Sequence, residues 1–131
     1  MSAETRRHRY DIQVRFADMD MMGHLNNACY ATYSEAARLA FLGSSGLTGM
    51  SIILAHLSID FRRQIRLGEP VHVESWIDSI GTSSCTVRQE IFVVDQVAAE
   101  IRSVLVHFDY QNNRSQPLPE AARAWLASWL P

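Results

Sequence analysis

The feature that most limits how this chain can fold is the succession of strand-like runs in its second half. Residues 53–61 place Ile53, Ala55, Leu57, Ile59 and Phe61 on one face and Leu54, His56, Ser58 and Asp60 on the other, which is the two-residue period of a half-buried strand. LGEP then turns the chain, residues 71–80 make the next run, and GTS turns it again. Residues 84–94 and 97–109 complete the series around a hairpin at Asp95 and Gln96. No helical pattern interrupts these runs, and connections so short join antiparallel neighbours.

The first half supplies one more strand and one long helix. YDIQVRF, residues 10–16, alternates Tyr10, Ile12, Val14 and Phe16 against Asp11, Gln13 and Arg15. From Asn26 to Leu42 the period changes, with Tyr30, Tyr33, Ala37, Ala40 and Phe41 three or four apart, so the segment reads as a helix of about four to five turns. Asn26 or Asn27 can cap its start and Gly43 can close its end. Alanines at 36, 37 and 40 leave one side thin enough to lie close on a sheet. The tail, PEAARAWLASWL, has Pro119 in a first-turn position and Trp125, Leu126 and Trp129 on one stripe, which predicts a short packed helix. The order is strand, long helix, four antiparallel strands, terminal helix. It predicts an α+β hotdog arrangement: a five-stranded antiparallel sheet wrapped around one long helix, with a short C-terminal helix. At 131 residues it makes a single domain, 1–131, that removes roughly two-thirds of its unfolded surface from water.

Composition then excludes several partners. A formal net charge of -2 gives no basic face of the kind that coats nucleic acid. MSAETRRHRY lacks the apolar core of a signal peptide, and no stretch approaches the ~20 apolar residues of a membrane span, so a cytoplasmic protein without membrane contact is expected. Cys29 and Cys85 have neither the number nor the spacing of a disulfide framework or zinc site and read as reduced thiols.

Chemistry concentrates in DMDMMGHLNN, Asp18 to Asn27. Counted from Asp18, Gly23 falls at the sixth place of a calcium loop, but Met22 and Cys29 occupy the fifth and twelfth, where hard oxygen ligands are needed. A transition metal on Asp18, Asp20 and His24 would lack a fourth ligand nearby, so neither metal nor organic cofactor is expected. Asp18 and Asn26 read as turn and helix caps. Asp20 and His24 differ by position, because they lie between a strand and a helix N-terminus, where free N–H groups and the positive end of the helix dipole converge. A carbonyl aimed there would be polarised and its developing negative charge stabilised. A carboxylate beside it can act as a base toward water or attack directly. That combination suits hydrolysis of an acyl group, and a thioester in particular, whose thiolate leaves without a strong proton donor.

VRFADMDMMGHLNNACYATYSEAARLAFL resembles the signature of the 4-hydroxybenzoyl-CoA thioesterase family, in which D-x-D, glycine and often H-[VL]-N-N precede a helix carrying Y-x-x-Y-x-E-x-x-R. Here these are Asp18, Asp20, Gly23, His24, Asn26, Asn27, Tyr30, Tyr33, Glu35 and Arg38. The resemblance implies that Asp20 is the catalytic carboxylate and that the Asn27 N–H polarises the thioester carbonyl. His24 matches a histidine that contributes to catalysis in the similar plant acyl-carrier-protein thioesterases, although their asparagine two residues after the aspartate is here Met22. It equally reads as a turn histidine contacting a partner chain. The resemblance also implies a homodimer or homotetramer, with sheets joined edge to edge and the second subunit completing the pocket.

Arg62, Arg63 and Arg66 form the dense basic cluster in the body of the chain, able to grip the phosphates of coenzyme A or to lie solvated at a strand end. Tyr30, Tyr33 and Phe41 serve either an acyl pocket or the core. Glu35 and Arg38 read as an i, i+3 helix pair, and Cys29 as inert packing. The expectation is a hydrolase acting on a small or medium acyl thioester of coenzyme A or acyl carrier protein. A non-catalytic acyl-CoA-binding relative and a hotdog dehydratase are the alternatives.

Overall fold

The computed structural model describes residues 6–131; the first five residues of the polar leader lie outside it. The elements are β1 (His8–Ile12), a 3-10 turn (Phe16–Asp18), α1 (Asn27–Gly43), β2 (Ile52–Phe61), β3 (Val71–Ile80), β4 (Ser84–Val93), β5 (Gln96–Asp109), β6 (Arg114–Ser115) and α2 (Glu120–Ala127). The strands form one antiparallel sheet in the order β1-β3-β4-β5-β2, with the two-residue β6 added against the end of β5. This is the hotdog arrangement expected from the sequence.

Helix α1 lies along the concave face. Tyr30, Tyr33 and Ala37 bury against Val71, Val73, Ile91, Val93, Ala99 and Ile101 of the sheet. One turn further, Phe41 is fully buried and meets Trp125 at 5.2 Å, Trp129 at 5.0 Å and His8 at 5.5 Å between ring centroids. A second cluster therefore ties α1 to α2 and to β1. Between the two clusters lies a buried polar belt. The Ser34 hydroxyl donates to Gln89 Oε1 at 2.6 Å, and Gln89 Nε2 donates to the Ser34 carbonyl at 3.1 Å and to Ser75 Oγ at 3.0 Å. Each partner is satisfied, as burial in a low-dielectric interior requires.

Several local expectations are corrected. Strand β1 stops at Ile12, not at residue 16, because Ile12 pairs with Val71 and the next partner would be Pro70, which has no N–H for the ladder. Phe16, expected on the buried face, is consequently exposed. In β2 the register slips between Leu54 and His56. The extra residue, Ala55, reverses the face of everything before it: Ile52 and Leu54 point to the concave side, opposite His107 and Leu105, and Ile53 to the outside. Gly43 is the last residue of α1 and does not end it in a left-handed turn; Ser44 closes the helix, its hydroxyl donating to the Phe41 carbonyl at 2.6 Å. The hairpin between β4 and β5 turns at Val94 and Asp95, with Val94 at φ 56°. Pro119 is the N-cap of α2, one position before the first turn, and Trp129 lies just beyond the helix. No helix among the described residues is long and apolar enough to cross a membrane.

Candidate active site

The motif between Asp18 and Asn27 is built as a closed loop. Met19 and Leu25 form an isolated antiparallel bridge, and between them the Asp20 N–H donates to the His24 carbonyl at 2.7 Å. Asp20 Oδ1 accepts the Met22 N–H at 2.8 Å and the His24 N–H at 3.0 Å. Gly23 sits at φ 79°, a left-handed conformation that few side chains adopt. The D-x-x-G-H spacing thus has a backbone reason: one carboxylate oxygen ties the turn together, and the glycine permits it. The two N–H bonds, that of His24 foremost, hold the Asp20 carboxyl below the usual carboxylate range. Its other oxygen, Oδ2, has no partner among the described residues.

The two aspartates have separate environments. Asp18 is buried, accepts the Tyr33 hydroxyl at 2.6 Å and pairs with Arg15 at 2.8 Å. The Arg15 guanidinium first, and the Tyr33 hydroxyl second, pull its pKa down to about 2. Asp20 is exposed. Asp18 also accepts the Arg15 N–H at 3.0 Å, so it anchors the approach to α1 and faces away from solvent.

At the start of α1, Asn26 is the cap: its Oδ1 accepts the Ala28 N–H at 2.9 Å and its carbonyl the Cys29 N–H at 2.9 Å. The Asn27 N–H is left without a partner among the described residues, one of the orphan donors of a helix start. Tyr30, a turn further on, donates its hydroxyl to the Arg63 carbonyl at 3.1 Å and meets the edge of Phe61 at 5.0 Å. The Leu25 N–H reaches the Ile65 carbonyl at 2.8 Å, and the Arg62 and Arg63 N–H groups share the Ala98 carbonyl at 2.8 and 3.0 Å. The Tyr30 and Leu25 bonds stitch the segment after β2 to the tip of α1, and the Ala98 bonds tie it to β5.

A cleft of about 460 Å³ results, lined by Asp20, His24, Asn27, Tyr30, Arg62 and Arg63 together with Leu25, Phe61 and Gln64. All six candidate site residues from the sequence meet there. Phe61 and Gln64 were not singled out, although both flank the Arg62–Arg63 pair. Tyr30 is buried at its floor and Asp20 exposed at its mouth. The two arginines are not equivalent: Arg62 donates to Glu100 Oε2 from Nε at 3.0 Å and from Nη2 at 2.8 Å, whereas Arg63 has no carboxylate within ion-pair distance among the described residues. Arg66 lies outside the cleft.

Three further readings are settled by geometry. Tyr33 belongs to the Asp18 anchor. Cys29 has its thiol pushed up by burial and by Asp18, to whose carbonyl it points at 3.6 Å, the environment of an inert thiol. Glu35 and Arg38 do not pair; Arg38 is buried and turns to Ser34 and Ser103. Among the described residues no three His, Cys, Asp or Glu side chains converge to hold a metal ion.

Comparison with known proteins gives the family and the fold. The family described as the Thioesterase-like superfamily matches residues 14–126. A chloroplastic acyl-acyl carrier protein thioesterase of Arabidopsis thaliana, ATL3, is 26% identical over 94% of this chain and 69% of its own length. A 1,4-dihydroxy-2-naphthoyl-CoA hydrolase of Nostoc punctiforme is 25% identical over 89% of this chain and 84% of its own. Among solved structures, a thioesterase of Thermus thermophilus complexed with coenzyme A and Zn superposes with a TM-score of 0.82 and 30% identity, covering 92% of each chain. A predicted thioesterase of Bacillus stearothermophilus superposes with a TM-score of 0.88 and 28% identity, over 95% of this chain and 97% of that one.

Proposed function

We propose that this chain, which belongs to the Thioesterase-like superfamily and is a thioester hydrolase, cleaves a small or medium acyl thioester of coenzyme A or acyl carrier protein at the cleft containing Asp20. The carrying observation is that Asp20 Oδ2 and the Asn27 N–H, both without a partner among the described residues, belong to residues lining one cleft. The thioester carbonyl oxygen sits at the tip of α1, where the Asn27 N–H and the helix dipole stabilise the charge it gains on attack. Asp20, ionised at neutral pH, takes a proton from water as the water oxygen attacks the carbonyl carbon, or attacks that carbon itself. Collapse of the tetrahedral intermediate breaks the C–S bond and expels the thiolate, which takes up the proton held by Asp20 where water attacked; where Asp20 attacked, water then hydrolyses the acyl–Asp20 anhydride and frees the carboxylate. His24, half-buried beside Asp20, orients the water or thioester. Arg63, with Arg62 behind it, meets the phosphates of the carrier. Tyr30 shapes the floor.

The relatives named for acyl carrier protein and coenzyme A substrates support both carriers. Both cysteines are free, in keeping with a cytoplasmic setting. The working unit is at least a dimer, joined along β2. That strand has ten residues, a neighbour on one side only, and Ile52, Leu54 and Phe61 between 37% and 49% exposed; so long an apolar edge is normally covered. Phe16, Met21 and Met22, also exposed, border the Asp20 turn, where the second subunit closes the site.

Asp20→Asn should lower turnover at least about a hundredfold, the low end for a positioned acid or base, with an unchanged circular dichroism spectrum. Asp18→Asn should do far less to turnover. Assays span acyl-CoAs of graded chain length, aromatic acyl-CoAs and acyl-carrier-protein thioesters. Near-parental hydrolysis by Asp20→Asn on the best substrate would remove the mechanism, and binding of every substrate without turnover would favour a non-catalytic acyl-CoA-binding protein.

A further inference from the structure

The convex face of the sheet, turned away from the helix α1, carries charges that the chain does not neutralise by itself. Along β3, β4 and β5 the core residues alternate with outward ones, and the strand registers set those outward residues in rows. In one row Glu74, Glu90, Glu100 and Asp60 stand directly opposite one another across β3, β4, β5 and β2. In the next row Arg88 stands opposite Arg102 across β4 and β5. Like charges in directly opposite positions destabilise a sheet. Arg7 is shared between Glu74 at 3.1 Å and Glu90 at 2.6 Å, and Arg62 between Glu100 at 2.8 Å and Asp60 at 4.0 Å. Each pair of carboxylates thus keeps one negative charge unmatched. Among the described residues Arg88 and Arg102 have no carboxylate within ion-pair distance.

The surplus charges lie in adjacent rows, with Arg88 and Glu90 together on β4 and Glu100 and Arg102 together on β5. We infer that this face is covered by a second copy of the chain, related to the first by a twofold axis that runs across the strands between the two rows. That axis lays Glu90 over Arg88 of the second copy and Glu100 over its Arg102, and symmetry makes each contact twice. One row further out it lays Phe92 over Thr86 and Val97 over Val104, residues that share the outward face. Charge and hydropathy are therefore self-complementary about the same line. Phe92, Val97 and Val104, each half-buried in the single chain, supply apolar area, while the charged rows set the register more than the affinity. Sheets packed face to face stand about 10 Å apart, which arginine and glutamate side chains together span. The contacts fall on β4 and β5 and use neither the β2 edge nor any residue of the Asp20 cleft. The inference is thus independent of the proposed function and of how sheet edges join.

Charge swaps across the axis test it, with the mass of the full chain read by light scattering and sedimentation. Arg88→Glu makes the β4 contact wholly acidic and Glu90→Arg makes it wholly basic, so each variant should have half the mass of the parent at equal concentration. Mixed in equal amounts, the two should regain the parental mass, because every acidic position then meets a basic one. Circular dichroism checks that each variant is folded. Arg102→Glu, at an exposed position on β5, should give the same halving without touching β4, and decides the matter where a β4 variant fails to fold. A monomeric parent, a parental mass retained by folded Arg88→Glu or Arg102→Glu, or a mixture of folded variants no heavier than its parts would each overturn the interface.

Discussion

Asp18 and Asp20 are two residues apart and differ in burial and partners, Asp18 being buried and Asp20 exposed. Asp18 has its pKa drawn to about 2 by Arg15 and Tyr33, whereas an unfolded aspartate titrates near 4. A depressed folded-state pKa contributes stability that is complete above about pH 4 and is lost as pH falls toward 2. Arg15 is 71% exposed, so water screens its share, and about 2 kcal/mol is a reasonable total. Urea unfolding of the parent should weaken by at least that amount between pH 5 and pH 2, since Asp20, Glu74 and Asp109 are also held below their usual range, and Asp18→Asn should remove the Asp18 share. A second residue-scale effect is at Val94, held at φ 56° on the surface. Left-handed backbone costs an L residue roughly 1–2 kcal/mol and asparagine less. Val94→Asn should therefore stabilise the protein by about 1 kcal/mol in urea midpoints, without altering turnover.

At the scale of elements, the connection after β2 brings the basic cluster to the helix tip. The Tyr30 hydroxyl on the Arg63 carbonyl and the Leu25 N–H on the Ile65 carbonyl hold that connection against the Asp20 loop. Because Glu100 already occupies the Arg62 fork, the proposed phosphate contact would fall mainly to Arg63. Arg63→Ala should raise KM for an acyl-CoA severalfold, and more than for the same acyl group on pantetheine, which lacks the nucleotide. Arg62→Ala should have a smaller effect, and rising salt should weaken parental binding. Equal changes on both substrates would make these arginines structural. The proximity of Arg62, Arg63 and Asp20 was not legible as a contact: they lie more than 40 residues apart, and the sheet order places the end of β2 beside the start of α1.

At the scale of the molecule, the open β2 edge and the proposed cleft share Phe61 as a border, so a dimer joined along β2 would link assembly to activity. If two sheets join along β2, Asp20 and the arginines contacting its substrate can belong to different chains. Asp20→Asn protein mixed with Arg62→Ala, Arg63→Ala protein under subunit exchange should then form some sites free of both defects, with activity above either parent. Light scattering at assay concentration should give a mass of at least two chains. A fully active monomer, or a mixture that never exceeds its parents despite proven exchange, would remove the shared-site arrangement.

Local periodicity was enough to determine the order of elements, the antiparallel pairing and the position of the Asp18–Asn27 motif between strand and helix, because hydrophobic spacing and turn residues act over a few neighbours. The same motif singled out Asp20 and His24 by position and, through the family resemblance, Asn27, all within ten residues of each other. Where the strands end and which way they face depended on partners distant in sequence. Pro70 cut β1 short, and the slip opposite β5 turned Ile52 and Leu54 inward. Arg38 read as one half of an i, i+3 pair with Glu35, whereas the sheet places Ser103 beside it and buries it. Burial is a property of packed layers, and only the tertiary structure decided which charges lost their water.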